Sequence, residues 1–243
     1  MQAVILAGGK GVRLRPYTVC LPKPLLPIDD IPILEVVLRQ LKYFGVTDVV
    51  LSLNYLADLL MAYFGDGKKL GLNISYSIED KVLGTVGPLS IIDGLQDNFL
   101  VMNGDLLTTL NFKDMFRYHV NNGNDASIAV YSKEVKIDLG VISSENGVFL
   151  NYIEKPTYYF DVSMGIYVFN KRVLDFIPTN NKMDLPDLIM MLKYFGKKIS
   201  CYYGDHDWID IGRFDDFEKA TAVFRERRSE YLPDEESAIF GVK

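Results

Sequence analysis

Two cysteines and two histidines are all that this 243-residue chain carries of either type, and neither pair is placed for chemistry. Cys20 and Cys201 stand too far apart to read as a zinc site or a disulfide framework, so both read as free thiols. His119 falls on a helical stretch and His206 in an acidic loop. No serine or cysteine stands at a spacing that suggests a nucleophile beside either, so neither histidine is assigned a catalytic role. Long apolar runs are missing too. No window approaches the roughly 18 apolar residues of a membrane span, and no leader-like segment precedes the first strand-like run, which gives the expectation of a cytoplasmic protein with no membrane partner. Basic excess is also lacking: 26 Lys and Arg face 32 Asp and Glu, a formal net charge of −6. Long-range attraction of nucleic acid is therefore not expected. No internal repeat and no linker-like composition shift divides the chain.

What the chain does have is ordinary globular composition, 49% hydrophobic and 24% charged, at a length that easily buries a core. Its most informative stretch is the first thirty residues. Val4-Ile5-Leu6 is a short continuous apolar run, the pattern of a strand buried on both faces. Gly8, Gly9 and Gly11 follow at once, then Arg13 and Arg15, then Pro22-Lys23-Pro24. Glycines let backbone N–H groups approach an anion, and the basic side chains add charge for it. A Walker loop is excluded because Lys10 is followed by Gly11 and not by Ser or Thr; the dinucleotide fingerprint is excluded because Leu14 stands where its third glycine belongs. The loop reads as a phosphate cradle within an acidic protein, a contrast that favours a small anionic ligand.

Helical and strand patterns then alternate. Ile33–Phe44 carries a helical apolar stripe ended by Gly45, Val49–Leu53 reads as a second buried strand, Leu56–Phe64 as a helix, and Ile74–Ile78 as a third strand. Gly87–Ile92 starts another helix, and Phe99–Met102 is a fourth apolar strand running into Asn103-Gly104-Asp105. That alternation predicts an α/β fold with a doubly wound, mixed but mostly parallel sheet. The second half is richer in strands, at 126–132, 140–143, 148–153, 164–169 and 199–203, with helices at 171–176, 185–195 and 214 to about 228. The expected organisation is one domain over 1–228, with a nucleotide-binding half over about 1–125 and a strand-rich half over about 126–228, followed by a C-terminal tail over 229–243.

In a doubly wound sheet, ligands sit beyond the carboxyl ends of the strands. Asp105 stands just past one such end, and Asp210, within Trp208-Ile209-Asp210-Ile211-Gly212, at another. Two carboxylates presented above a phosphate loop suit Mg²⁺, which takes oxygen ligands and commonly uses one or two protein carboxylates plus substrate phosphates. Taken singly, each acid also fits a turn cap or a surface ion pair. Glu154-Lys155-Pro156 closes another strand; the proline is expected to hold Lys155 extended, where its charge can meet a second phosphate, although such a pair also fits a solvated edge. The aromatic cluster Tyr158, Tyr159 and Phe160 reads as core or interface.

Together these pieces resemble a known family. Leu6-Ala7-Gly8-Gly9-Lys10-Gly11-Val12-Arg13-Leu14-Arg15-Pro16 is similar to the opening signature of the sugar-1-phosphate nucleotidyltransferases. Pro22-Lys23-Pro24-Leu25-Leu26-Pro27, Leu83-Gly84-Thr85, Asn103-Gly104-Asp105, Glu154-Lys155-Pro156 and Trp208-Ile209-Asp210-Ile211-Gly212 follow in the family's order over residues 1 to about 225. The resemblance implies a Rossmann-like nucleotidyltransferase fold whose second half binds the sugar. It implies attack of a sugar 1-phosphate on the α-phosphate of a nucleoside triphosphate, with Mg²⁺ as cofactor. It further implies catalytic roles for Arg13, Lys23, Asp105 and Asp210. Leu6, Ala7, Gly8, Gly9, Gly11, Arg13, Glu79, Gly84, Thr85 and Asp105 would hold the nucleotide. Gly140, Glu154, Lys155 and Ser163 would hold the sugar phosphate, and Asp105 and Asp210 the metal.

Three departures stand out: Val12 where the family usually has threonine, Leu139 where an aromatic residue is common, and Ser163-Met164-Gly165 in place of Asn-Ala-Gly. The form Leu83-Gly84-Thr85 with Glu79 upstream looks most like the mannose-1-phosphate guanylyltransferase branch. It points to GTP, with mannose, heptose or an amino sugar on the phosphate and UTP or dTTP as alternatives. A catalytically silent nucleotide-sugar-binding protein is the contrasting reading. The expected state is a monomer or homodimer, without the large appended domains of some members.

Overall fold

The computed structural model describes residues 1–235. Its spine is one seven-stranded sheet. The elements run β1 (Gln2–Leu6), β2 (Pro27–Ile28), β3 (Ile31–Pro32), α1 (Ile33–Tyr43), β4 (Asp48–Leu53), α2 (Ala57–Phe64), β5 (Asn73–Ile78), β6 (Asn98–Asn103), β7 (Leu106–Thr108) and α3 (Phe112–Asn122). The second half continues with β8 (Ala126–Lys136), β9 (Val141–Glu145), β10 (Val148–Ile153), β11 (Thr157–Asn170), α4 (Leu185–Tyr194), β12 (Ile199–Tyr202), β13 (Trp208–Asp210), α5 (Phe214–Glu226) and α6 (Arg228–Tyr231). Strand order across the large sheet is β12-β8-β11-β6-β1-β4-β5. Only β11 runs against its neighbours, pairing antiparallel with β6 and β8 while the other pairings are parallel. The sheet is doubly wound, mixed and mostly parallel.

The apolar run at β1 is continuous because both of its faces are covered. Ala3 and Ile5 pack with Leu34, Leu38 and Leu41 of α1 on one side, whereas Val4 packs with Leu89 and with Leu188 and Leu192 of α4 on the other. Five consecutive residues of this kind leave no polar alternation to find. A third core gathers Leu14, Leu26 and Ile28 against Phe224, Tyr231 and Leu232. It therefore ties the glycine-rich loop to α5 and α6.

Three local expectations differ from the structure. The helices expected at 87–92 and 171–176 are 3-10 helices, Gly87–Ile91 and Lys171–Phe176, not α-helices. The strand expected over 164–169 starts at Thr157, and Tyr159 and Phe160 are 66% and 54% exposed, so they are not core. The segment after 228 lacks a readable period, yet Tyr231 and Leu232 are fully buried; residues 236–243 lie outside the described residues.

The second half does not stand apart as a separate sheet. Its strands β8, β11 and β12 join the central one, and only the outer ends of β8 and β11, with the β9–β10 hairpin, project as an arm. A register shift between Ser163 and Tyr167 marks where β11 parts from β6 and continues on β8 alone. Such a bulge sharpens the local twist and bends the strand outward.

Candidate active site

The carboxyl ends of β1, β4, β5 and β6 meet at one end of the sheet, and the ladder bonds of β1, β5 and β6 continue one residue beyond the strand. Ala7 N–H donates to Ser52 O, Glu79 N–H to Leu53 O and Gly104 N–H to Leu6 O. The chain leaves β1 here into the glycine loop. Gly11 takes the left-handed conformation at φ 58° and starts the 3-10 turn Val12–Leu14. The Thr18 hydroxyl donates to Gly11 O at 2.8 Å, and Leu14 N–H donates to the same carbonyl at 2.9 Å. Loop geometry is thus held by two donors on one oxygen.

Lys23 is buried, and its ammonium forms an ion pair with the Asp105 carboxylate. A short ladder brings up the second acid. β13 pairs antiparallel with β7, setting Asp210 opposite Leu106, and Ile211 N–H donates to Asp105 O at 3.2 Å. The Asp105 and Asp210 side chains therefore project from adjoining backbone. Asp210 is exposed on one side. Even so, the surrounding protein strips water from its carboxyl and Asp105 adds like charge, so its pKa is raised; Lys23 and Arg13 pull against that shift. Arg13 lies over Gly212, its guanidinium 3.5 Å from where a Cβ would be.

Two clefts adjoin this cluster and share Leu6, Gly9 and Asp105. One, of 330 Å³, is lined by Ala7, Gly11, Val12, Arg13, Lys23 and Pro24 as well. The other, of 360 Å³, runs past Gly8, Ser52 and Asn54 to Glu79, Gly84 and Thr85. At its far end the Glu79 carboxylate accepts Leu83 N–H at 3.0 Å, and partial burial raises its pKa. Thr85 lines the cleft, but its hydroxyl accepts Leu185 N–H at 2.7 Å.

Ser163 sits at the bulge of β11, its hydroxyl 2.7 Å from that of Tyr167. The adjacent Gly165 faces the Asn103 side chain, which lines the larger cleft. Gly140, Glu154 and Lys155 are on the arm: Gly140 lies against the Tyr152 ring, and Tyr152 donates to Glu154 at 2.9 Å. Lys155 is not extended as its following proline suggests; its φ is 43°. The chain turns there from β10 into β11, and the reversal overrides the local preference. No hydrogen bond or ion pair joins these arm residues to the Asp105 cluster among the described residues.

Sequence reasoning missed Asn54 and Thr18. Asn54 is the first residue past β4, the sheet neighbour of β1, so the strand-end rule that found Asp105 had the signal for it. Thr18 is buried inside the loop, and nothing in its spacing marks it.

A profile of the nucleotidyl transferase family matches residues 2–227, and the chain belongs to that family; the resemblance to sugar-1-phosphate nucleotidyltransferases is borne out. Among curated proteins, a UTP–glucose-1-phosphate uridylyltransferase of Synechocystis sp. is 32% identical over 96% of this chain and 66% of its own length. The mannose-1-phosphate guanylyltransferase catalytic subunit beta of Dictyostelium discoideum is 35% identical over 92% of this chain and 64% of its own length. The chain thus spans about two thirds of these relatives. Among solved structures, HddC from Yersinia pseudotuberculosis complexed with GMP-PN superposes with a TM-score of 0.70 at 25% identity, covering 92% of this chain and 99% of that one.

Proposed function

We propose that this protein transfers a nucleoside monophosphate from a nucleoside triphosphate to a sugar 1-phosphate, with GTP as the preferred donor. The observation that carries the reading is the convergence of Lys23, Asp105, Asp210 and Arg13 where two clefts join. A sugar phosphate oxygen attacks the α-phosphorus; the new O–P bond forms as the bond to the bridging oxygen breaks, and pyrophosphate leaves. Both reactants are anions, so the protein must align them and neutralise their repulsion, and no nucleophilic side chain is needed.

Loop amides around Gly8 to Gly11 and the Arg13 guanidinium suit the triphosphate and the leaving pyrophosphate. Lys23 suits the reacting phosphates. Asp105 and Asp210 would hold Mg²⁺, which when bound would neutralise phosphate charge. The donor set fits that ion: both groups are carboxylates and supply only oxygen. Phosphate and water oxygens would complete the coordination, as Mg²⁺ prefers. Glu154, Lys155, Gly140 and Ser163 supply the sugar-phosphate side.

Glu79 favours guanine on chemical grounds. Guanine presents two adjacent N–H donors, to which an ionised carboxylate offers two acceptors. Uracil and thymine present one donor flanked by carbonyls that repel it. The guanylyltransferase relative and the GMP-PN-bound neighbour support the same choice, while the uridylyltransferase relative keeps UTP in the comparison. The test is a matrix of the common nucleoside triphosphates against mannose, heptose, glucose and amino-sugar 1-phosphates, read by pyrophosphate release with Mg²⁺ present. GTP should give the highest kcat/KM. A maximum with UTP or dTTP overturns the base assignment, and no release with any pair overturns the enzyme reading in favour of a silent nucleotide-sugar-binding protein.

A further inference from the structure

The cleft wall at Leu83 to Gly87 is clamped by a segment from the other half of the chain. Met183 N–H donates to Leu83 O at 2.9 Å, and Val86 and Gly87 N–H both donate to Met183 O at 3.1 Å. Thr85 N–H donates to Asp184 Oδ1 at 3.1 Å, and Leu185 N–H donates to the Thr85 hydroxyl at 2.7 Å. The contact is too close for a side chain at position 84. Gly84 has φ 81°, and a Cβ there would lie 2.5 Å from Met183 O.

Asp184 is the N-cap of α4, yet its side chain makes no capping hydrogen bond to its own helix. An aspartate there ordinarily accepts an N–H from the first turn. Here the two segments exchange caps: Asp184 takes an N–H from the cleft wall, and Thr85 supplies an oxygen to the first N–H of α4. The clamped wall carries Leu83, whose N–H orients the Glu79 carboxylate. Glu79 itself is pinned to the sheet through Leu53, and Ser52 of β4 donates to its Oε1 at 3.5 Å, so the wall sets the position of the other carboxylate oxygen, Oε2.

We propose that Asp184 is a positioning residue for base selection, acting on Glu79 through the Leu83–Thr85 wall. The proposal rests on the reading of this cleft as the base pocket. The test measures kcat and KM for each nucleoside triphosphate, at a fixed sugar 1-phosphate, in Asp184→Ala, Asp184→Asn and Glu79→Gln. Asp184→Ala should lower the kcat/KM ratio of the preferred to the second-preferred triphosphate by about fivefold or more, with the loss in KM and kcat for the preferred one within about twofold. Asp184→Asn, which keeps an acceptor oxygen, should restore the ratio.

If Asp184→Ala does not fold, Thr85→Val and Thr85→Ser cut and keep the same clamp from the other side, and the same contrast is expected. An unchanged ratio in folded Asp184→Ala beside a changed one in Glu79→Gln overturns the positioning role alone. An unchanged ratio in Glu79→Gln overturns the base-pocket reading and the proposal with it.

Discussion

Lys23 and Asp105 form an ion pair across 82 residues of sequence, the lysine buried between two prolines and the acid just beyond β6. The cation is thus fixed on the Asp105 carboxylate. A buried ammonium is retained only where an anion answers it. Both groups are therefore ordered before any phosphate arrives.

Replacing Lys23 with methionine keeps the length of the side chain and removes its charge. Asp105 then loses its ion-pair partner in a half-buried site, a loss of about 1–3 kcal/mol. Urea unfolding should show that loss. Pyrophosphate release should fall by about a hundredfold, because the reacting phosphates lose a fixed cation. Wild-type turnover in this variant would remove Lys23 from the catalytic set.

Asp210→Asn should cut turnover at least about a hundredfold, roughly 3 kcal/mol of transition-state stabilisation. Its fold should be intact, because β13 is held by backbone pairing with β7. Steady-state rates across a Mg²⁺ titration check it, and an unchanged metal dependence would count against the metal role.

Gly11→Ala puts a methyl group 2.9 Å from Thr18 Cγ2 at a residue with φ 58°. The left-handed conformation costs a non-glycine residue about 1 kcal/mol, and the clash pushes the loop away from the smaller cleft. The expected outcome is a loss of about tenfold or more in kcat/KM for the nucleoside triphosphate, with little change in KM for the sugar phosphate. Initial-rate kinetics with each substrate varied separates the two.

Lys155→Ala should act on the other substrate. Lys155 is exposed on the arm, so stability should move by less than about 0.5 kcal/mol. KM for the sugar 1-phosphate should rise by about tenfold, as a single phosphate-binding charge warrants, while KM for the triphosphate stays put. Equal effects on both substrates would refute the assignment.

His119 supplies a pH prediction. It is buried, its ring nitrogens 3.0 Å from Ser127 Oγ and 3.1 Å from Asn98 Oδ1. Burial lowers its pKa from 6.5 to about 4, against the opposing pull of Asp125. The unfolded chain therefore takes up a proton that the folded chain refuses as pH falls below about 6.5. Stability should decline from there to about pH 4, by up to about 3 kcal/mol, and level off for this group below that. Urea midpoints between pH 4 and 7 should show that slope, and a folded His119→Gln variant should lack it.

Much of the first half was legible because its signals are local. The strands near 4–6, 49–53, 74–78 and 99–102 are short apolar runs between turn residues, and each is present. The arm was less legible. Val148–Ile153 is exposed at every residue, so neither periodicity nor burial distinguishes an arm from a sheet strand. The tail residues Tyr231 and Leu232 gave no signal either, because two apolar residues are too few to show a period. Their burial depends on the pocket that α5 and the phosphate loop present.

By itself, the sequence determined the class of fold and the glycine-rich loop after the first strand, and the family resemblance supplied most of the residues that line the clefts. The fold class and the loop follow from backbone freedom, apolar periodicity and charge, all expressed within a few residues of chain; Glu79, Gly84 and Thr85 came only from the resemblance. Tertiary structure alone decided which residues meet. Asp105 and Asp210 adjoin because β13 pairs with β7, Lys23 reaches Asp105 from a turn packed against α1, and Glu79 accepts an N–H from a wall clamped from residues 183–185. Such meetings depend on ladder register and core packing between distant segments, which no local pattern encodes.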